Sequence, residues 1–150
     1  MDIETMNKIR IAIDPGKSGA MAIMYPSGDP YAIPFTTESE MRDELETVLQ
    51  FDSVTEYHAV LEKVHAMPGQ GVTSMFTFGA NYGFWRGLLQ GLRIPFDEVR
   101  PQEWQKGLNI KQGLKGAERK RALKQIASER YPRMKVTLKT ADALLMLKEM

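Results

Sequence analysis

The 150-residue sequence contains no cysteine and only two histidines, His58 and His65. The absence of cysteine excludes disulfides, thiolate metal sites and cysteine nucleophiles, and two imidazoles are too few for a typical histidine-based zinc centre. Any metal ion bound by this chain is therefore expected to be held mainly by oxygen ligands.

Long apolar runs are also missing. No stretch approaches the roughly 18 residues needed to span a bilayer, and the composition, 43% hydrophobic and 26% charged, is that of ordinary soluble proteins. The N-terminus has acids and no apolar core, unlike a signal or transit peptide, so a cytoplasmic protein without membrane association is expected. A length of 150 residues predicts a single domain, 1–150.

The net charge of +1 hides a division along the chain. Residues 1–99 carry 7 basic and 14 acidic side chains, whereas residues 100–150 carry 13 basic and 5 acidic ones. A basic C-terminal third indicates a surface for a polyanion such as nucleic acid. A solvated basic helix is an equally good interpretation of the charge alone.

Hydrophobic periodicity predicts an α/β fold. Lys8–Asp14 alternates isoleucine with other residues, as a strand does, and a Pro-Gly turn joins it to a second strand, Ala20–Tyr25, in a hairpin. Further strands are predicted at 31–34, 57–62 and 94–99, and helices at 37–51, 74–92, 101–104, 117–131 and 141–149, with a loop at 106–116. Thr37 and Thr140 are predicted to cap the first and last helices.

The helix predicted at 74–92 contains glycine at every fourth position: Gly79, Gly83, Gly87 and Gly91. Each glycine costs about 1 kcal/mol relative to alanine in a helix, so four in register predict the close approach of another backbone. Tight packing on the sheet is the preferred interpretation, and a dimer contact is the alternative.

Three carboxylates occur where an acid is unexpected. Asp14 ends an isoleucine-rich strand, Glu62 ends a buried strand, and Asp142 lies beside an apolar helix. Because a buried carboxylate needs a cation or a proton, the three together predict an oxygen-ligand site for Mg²⁺, which would activate water for phosphodiester hydrolysis.

Each acid also has a structural alternative when taken singly. Asp14 could hydrogen-bond to its own turn, and Asp142 could interact with the helix dipole. Glu62 could pair with Lys63 or Arg86.

Three sequence blocks, in this order, carry a resemblance to a known family: Ile11–Ala20 (IAIDPGKSGA), Val60–Val64 (VLEKV) and Thr140–Leu145 (TADALL). They resemble the RuvC-type Holliday-junction resolvases, in the compact form found in phages. The resemblance implies an RNase H-like fold, with a central mixed five-stranded sheet flanked by helices. It also implies a homodimer that cuts opposing strands of a four-way DNA junction, using Mg²⁺ or Mn²⁺ and leaving 5′-phosphate ends.

By this resemblance Asp14, Glu62 and Asp142 are the metal-binding catalytic acids. The bacterial pattern has a further acid three residues before the last one, where this chain has Lys139. Lys139 is predicted to be catalytic, beside the scissile phosphate, where a cation would offset developing negative charge. The alternative is an exposed lysine before a helix.

DNA contacts are predicted on the same basis. In the family an aromatic near Phe76 stacks on an unpaired base, although core packing is the favoured alternative for this ring. The predicted phosphate contacts position the DNA without reading its sequence. They are Lys17, Lys106, Lys111, Lys115, Arg119, Lys120 and Lys124.

Three other functions stay open at the level of sequence. They are an RNA-processing nuclease of related fold, a non-catalytic junction-binding module, and an actin-like ATPase or sugar kinase, which has a similar strand–turn motif. The last class needs two lobes around a nucleotide, for which 150 residues are too few. The preferred prediction is a metal-dependent, structure-specific endonuclease in the cytoplasm of a phage host.

Overall fold

A five-stranded sheet forms the centre of the computed structural model, which describes residues 7–51 and 56–149. Its strands are β1 (Lys8–Asp14), β2 (Ala20–Met24), β3 (Tyr31–Pro34), β4 (Glu56–Glu62) and β5 (Phe96–Val99), in the order β3-β2-β1-β4-β5. The pairs β1–β2 and β2–β3 are antiparallel, whereas β1–β4 and β4–β5 are parallel. The predicted mixed sheet is confirmed.

Helices cover both faces of this sheet. They are α1 (Glu38–Val48), α2 (Val72–Gly91), α3 (Pro101–Trp104), α4 (Gly116–Arg130) and α5 (Ala141–Met146), followed by a 3-10 turn at Leu147–Glu149. In the part of the chain that the structure describes, no helix is both long and apolar enough to cross a membrane. The predicted elements are all present, with ends shifted by a few residues. For example, β5 begins at Phe96 and not at Ile94, because the Ile94 N–H donates to the Leu89 carbonyl of α2 at 2.9 Å.

Successive side chains of each strand point to opposite faces of the sheet, so they contribute to two separate core layers. The isoleucines of β1 (Ile9, Ile11 and Ile13) face a core that α1 and α2 complete. The opposite face presents smaller residues, Ala12 and Ala22 among them, to α4 and α5. Because side chains two positions apart share a face, Asp14 lies on the side of α4 and α5.

Only one of the two predicted helix caps forms. The Thr37 hydroxyl accepts the Glu40 N–H at 3.1 Å, as a cap does. Thr140 makes no cap hydrogen bond and has helical dihedral angles itself. Its hydroxyl instead accepts the Thr137 N–H at 3.0 Å, so the predicted cap is wrong.

The glycines of α2 do not pack on the sheet. A Cβ atom built at Gly79, Gly83, Gly87 or Gly91 would meet no atom of the described residues within 4 Å, so the preferred interpretation of this stripe is wrong. The face that packs on the sheet contains Trp85 and Leu89, both fully buried. The glycine stripe is therefore a surface of the single chain.

Candidate active site

The ends of two neighbouring strands bring two of the predicted acids to one edge of the sheet. Ile13 of β1 is opposite Leu61 of β4 in the parallel register, so Asp14 and Glu62 follow side by side. Asp14 is two positions after Ala12, and Glu62 is two positions after Val60. Both side chains therefore lie on the face of small residues that α4 and α5 cover. Asp142, in the first turn of α5, approaches from this layer because α5 packs on β1 and β2.

The electrostatics of these carboxylates reflect their burial and closeness. Asp14 is 8% exposed and Asp142 is 7% exposed. Burial, together with the charges of Asp142 and Glu62, raises the pKa of Asp14 well above its usual value. Burial also raises the pKa of Glu62. The site therefore concentrates more negative charge than its surroundings neutralise.

Glu62 has a partner that sequence reasoning missed. The Trp104 indole N–H, from the end of α3, donates to Glu62 Oε2 at 2.5 Å, and this bond favours the ionised carboxylate. The predicted alternatives for Glu62 are wrong. Arg86 Nε lies 3.4 Å from Glu98 Oε1, and no ion pair among the described residues joins Glu62 to Lys63 or to Arg86.

Asp142 is contacted by a lysine of α4. Lys120 Nζ lies 3.0 Å from Asp142 Oδ2, whereas Asp142 Oδ1 is buried and has no hydrogen-bond partner among the residues that the structure describes. Burial lowers the pKa of Lys120, but the charges of Asp142, Asp14 and Glu62 outweigh this and raise it overall. Lys120, predicted as a phosphate contact, is thus placed among the acids.

The turn that follows Asp14 is fixed by its backbone and by α2. The Gly16 N–H donates to Asn81 Oδ1 at 2.7 Å, and the Gly19 N–H donates to the Gly16 carbonyl at 3.0 Å. A Cβ atom at Gly19 would lie 1.9 Å from the Asp14 carbonyl oxygen, so this position requires glycine. Asn81 is a positioning residue that no local sequence pattern indicates.

Two open cavities flank the acids, and Phe78 forms part of the wall of both. The first, of about 480 Å³, is lined by Asp14, Lys17, Lys120 and hydroxyl-bearing residues of α2. The second, of about 850 Å³, is lined on its charged side by Glu62, Lys63, His65, Arg100, Glu103 and Lys106. Lys63 and His65 were not predicted, because the division of charge along the chain directs attention to later residues. Arg100 lies in the basic part of the chain but was not among the predicted contacts.

The other predicted site residues lie around these cavities or on the surface. Arg119 donates a hydrogen bond to Gln105, and the remaining predicted contacts, Lys111, Lys115, Lys124 and Lys139, are exposed. Phe76 is 79% exposed, so core packing is wrong for this ring.

The donor atoms suit a divalent cation, although they are not gathered around one point. Within residues 7–51 and 56–149, no three His, Cys, Asp or Glu side chains are placed to hold a metal ion together. Asp14, Glu62 and Asp142 are nevertheless hard oxygen donors, and within the described ranges no hydrogen-bond partner meets the buried Asp142 Oδ1. A cation would satisfy this oxygen and offset the excess negative charge.

Comparisons of sequence find no match among known family profiles or among curated proteins. Solved structures do match. RuvC from Thermus thermophilus in complex with a Holliday-junction substrate gives a TM-score of 0.61 at 11% identity, over 93% of this chain and 90% of that one. A second Thermus thermophilus RuvC structure gives a TM-score of 0.59 at 11% identity, with the same coverage. The chain therefore has the RNase H-like fold of RuvC.

Proposed function

We propose that this chain is a metal-dependent, structure-specific endonuclease that resolves four-way DNA junctions and related branched DNA in the cytoplasm. The observation that supports it most is the position of Asp14, Glu62 and Asp142 at one sheet edge of a RuvC-like fold. The RuvC structure with the higher TM-score of the two holds a Holliday-junction substrate. Residues 1–150 would form one nuclease domain.

Asp14, Glu62 and Asp142 would hold Mg²⁺, for which Mn²⁺ would substitute. When bound, the divalent cation supplies activation of the attacking water and neutralisation of charge on the phosphate. The chain itself supplies three carboxylates in a largely buried site, with Glu62 oriented by Trp104. Hydrolysis would leave 5′-phosphate and 3′-hydroxyl ends.

The two cavities would form a path for a DNA strand past the acids. Lys17 and Lys120 line the first cavity and Lys106 the second, so phosphates on either side of the cleaved bond would meet positive charge. Lys111, Lys115, Arg119 and Lys124 would contact phosphates further away. The exposed ring of Phe76 would stack on an unpaired base at the centre of the junction.

Lys139 would act on the scissile phosphate as a fixed positive charge. It is exposed and lies three residues before Asp142. Replacing Lys139 with alanine is expected to lower the cleavage rate about tenfold or more while junction affinity stays unchanged. Lys135→Ala, at another exposed lysine of the same segment, is the control. Unchanged cleavage by Lys139→Ala would remove this role.

The enzyme would act as a homodimer, because a four-way junction needs two cuts and one chain offers one set of acids. The exposed stripe of α2 supports a helix contact, since α2 has one charged residue, Arg86, among its 20. A two-fold protein would match the approximate two-fold symmetry of a junction.

Cleavage of defined substrates tests the function directly. A synthetic four-way junction, a linear duplex of matched sequence and a structured RNA would each be incubated with Mg²⁺ or EDTA. We expect symmetric nicks in the junction alone, dependent on Mg²⁺ and abolished by Asp14→Asn, with Asp43→Asn on α1 as the control.

The other outcomes separate the remaining functions. Equal cutting of the linear duplex would contradict junction selectivity, and cleavage of the RNA alone would indicate an RNA-processing nuclease. Tight junction binding without cutting would indicate a binding module.

A further inference from the structure

The contact between Lys120 and Asp142 has a consequence for how the site takes up a cation. We infer that Lys120 is the resident counter-ion of the metal-free site, and that a divalent cation binds by displacing its ammonium group from Asp142. This inference rests on the proposed function, because it concerns the same three acids.

The contact is made at an acid that needs a cation. Asp142 is 7% exposed, and its Oδ2 atom lies 3.0 Å from Lys120 Nζ. A buried carboxylate without a partner is strongly unfavourable, so the ammonium group stabilises this carboxylate when no metal is bound. Asp142 Oδ1 still has no hydrogen-bond partner in the part of the chain that the structure describes.

Lys120 is close to more than one of the acids. Its ammonium group lies 3.0 Å from Asp142 Oδ2, and its side chain lines the same cavity as Asp14. One ammonium group supplies a single positive charge for three carboxyl groups, whereas a divalent cation supplies two. Because the two cations are attracted to the same oxygens and repel each other, they compete.

The position of Lys120 allows the exchange. Its side chain is 49% exposed, so the ammonium group can leave without repacking the core. It also lines the 480 Å³ cavity beside Asp14, where a substrate phosphate would offer it a new partner. In the structure, where Lys120 contacts Asp142, no three acidic side chains of the described residues are placed to hold a metal ion together.

Mn²⁺ affinity in the absence of DNA tests the competition. Mn²⁺ binding would be measured by electron paramagnetic resonance and by calorimetry on the wild type, Lys120→Met, Lys120→Arg and Arg121→Met. Lys120→Met keeps the aliphatic stem and removes the charge, so we expect Mn²⁺ to bind about tenfold more tightly or better. Lys120→Arg keeps the charge, and Arg121→Met removes a charge from the next position of α4, so both should stay near the wild-type affinity.

Thermal unfolding gives a second readout that does not need a catalytically active enzyme. In EDTA, Lys120→Met should melt at a lower temperature than Arg121→Met, and Mn²⁺ should raise its melting temperature by more than it raises that of the wild type.

The outcomes separate this inference from the proposed function. If the wild type binds Mn²⁺ and cuts junctions but Lys120→Met binds Mn²⁺ no more tightly, the inference is wrong and the function stands. If only Lys120→Met binds Mn²⁺, competition is supported. If neither protein binds Mn²⁺, the inference fails together with metal dependence.

Discussion

At the scale of single residues, the buried acids cost the folded protein stability. The pKa of Asp14 is raised by burial and by its acidic neighbours, so the folded state binds this proton more tightly than the unfolded chain does. The free energy of unfolding therefore falls as the pH rises from the pKa of Asp14 in the unfolded chain through its higher pKa in the folded protein. Asp14→Asn removes this loss, and we expect the free energy of unfolding in EDTA at pH 7 to rise by about 1 kcal/mol or more.

Urea unfolding at several pH values checks this prediction. The gain from Asp14→Asn should shrink as the pH falls below the folded pKa, because Asp14 is then protonated in the wild type. Asp43→Asn, at an exposed acid of α1, should change stability by less than about 0.5 kcal/mol. A lower stability of Asp14→Asn at neutral pH would contradict a site that is short of positive charge.

The two buried tryptophans offer a matched pair of substitutions. Trp104 donates to Glu62, whereas the buried Trp85 indole nitrogen has no hydrogen-bond partner among residues 7–51 and 56–149. Trp104→Phe leaves Glu62 without its hydrogen-bond donor, so the pKa of Glu62 should rise further. The acid limb of the pH–rate profile should then move to higher pH. Removal of this hydrogen bond should also lower the free energy of unfolding by about 1–2 kcal/mol.

Trp85→Phe makes the same change in ring size without removing a hydrogen bond. Its cleavage rate and pH–rate profile, measured on the same junction, should match those of the wild type. An identical shift in both variants would attribute the effect to packing instead of to the Trp104–Glu62 bond.

At the scale of elements, the sequence predicts what is periodic and misses what is distant. The alternation of Ile9, Ile11 and Ile13 predicts β1 and its buried face, and strand ends predict where Asp14 and Glu62 meet. The predicted cap at Thr140 does not form, because the Thr140 hydroxyl accepts a hydrogen bond from the backbone N–H of Thr137, three residues earlier.

Contacts between separate elements leave no local signal. Trp104 is 42 residues from Glu62, and Lys120 is 22 residues from Asp142. The partners of each acid follow from the packing of α3, α4 and α5 on the sheet, which periodicity does not specify. The sequence therefore predicts the acids of the candidate site but not the side chains that form a hydrogen bond or an ion pair with them.

The basic segment formed by α4 and the loop before it should dominate the salt dependence of junction binding. Its exposed lysines Lys111, Lys115 and Lys124 would each displace a counter-ion. Replacing all three with alanine should reduce the slope of log affinity against log salt concentration by about 0.9 for each phosphate that a lysine no longer neutralises. Fluorescence anisotropy with a labelled junction over a salt series measures this slope.

A single alanine at Arg42 is the control, since Arg42 is exposed on α1, on the opposite face of the sheet. It should leave the slope unchanged. A nearly flat salt dependence of the wild type would reject phosphate binding by this segment.

At the scale of the whole molecule, one chain of 17.0 kDa brings one set of three acids to one edge of its sheet. Under the proposed function, two coordinated cuts would require two chains, and α2 would offer a surface for pairing that is almost free of charge. Its exposed glycines permit close approach of a second helix at a cost to helix stability. That cost is understandable if a partner backbone occupies the stripe.

A charge at the middle of this stripe tests the pairing. A Cβ atom at Gly83 would be free of contacts within 4 Å from the described part of the chain, and glutamate is a better helix former than glycine. Gly83→Glu should therefore fold at least as stably as the wild type. Two glutamates facing each other across a two-fold axis would repel, so we expect sedimentation to show a dimer for the wild type and a monomer for Gly83→Glu. The monomer should leave singly nicked junctions instead of paired cuts. Ser39→Glu, which adds the same charge to the exposed side of α1, should remain dimeric and fully active. If Gly83→Glu stays dimeric, the interface lies elsewhere, and if its monomer still makes paired cuts, one chain is sufficient for resolution.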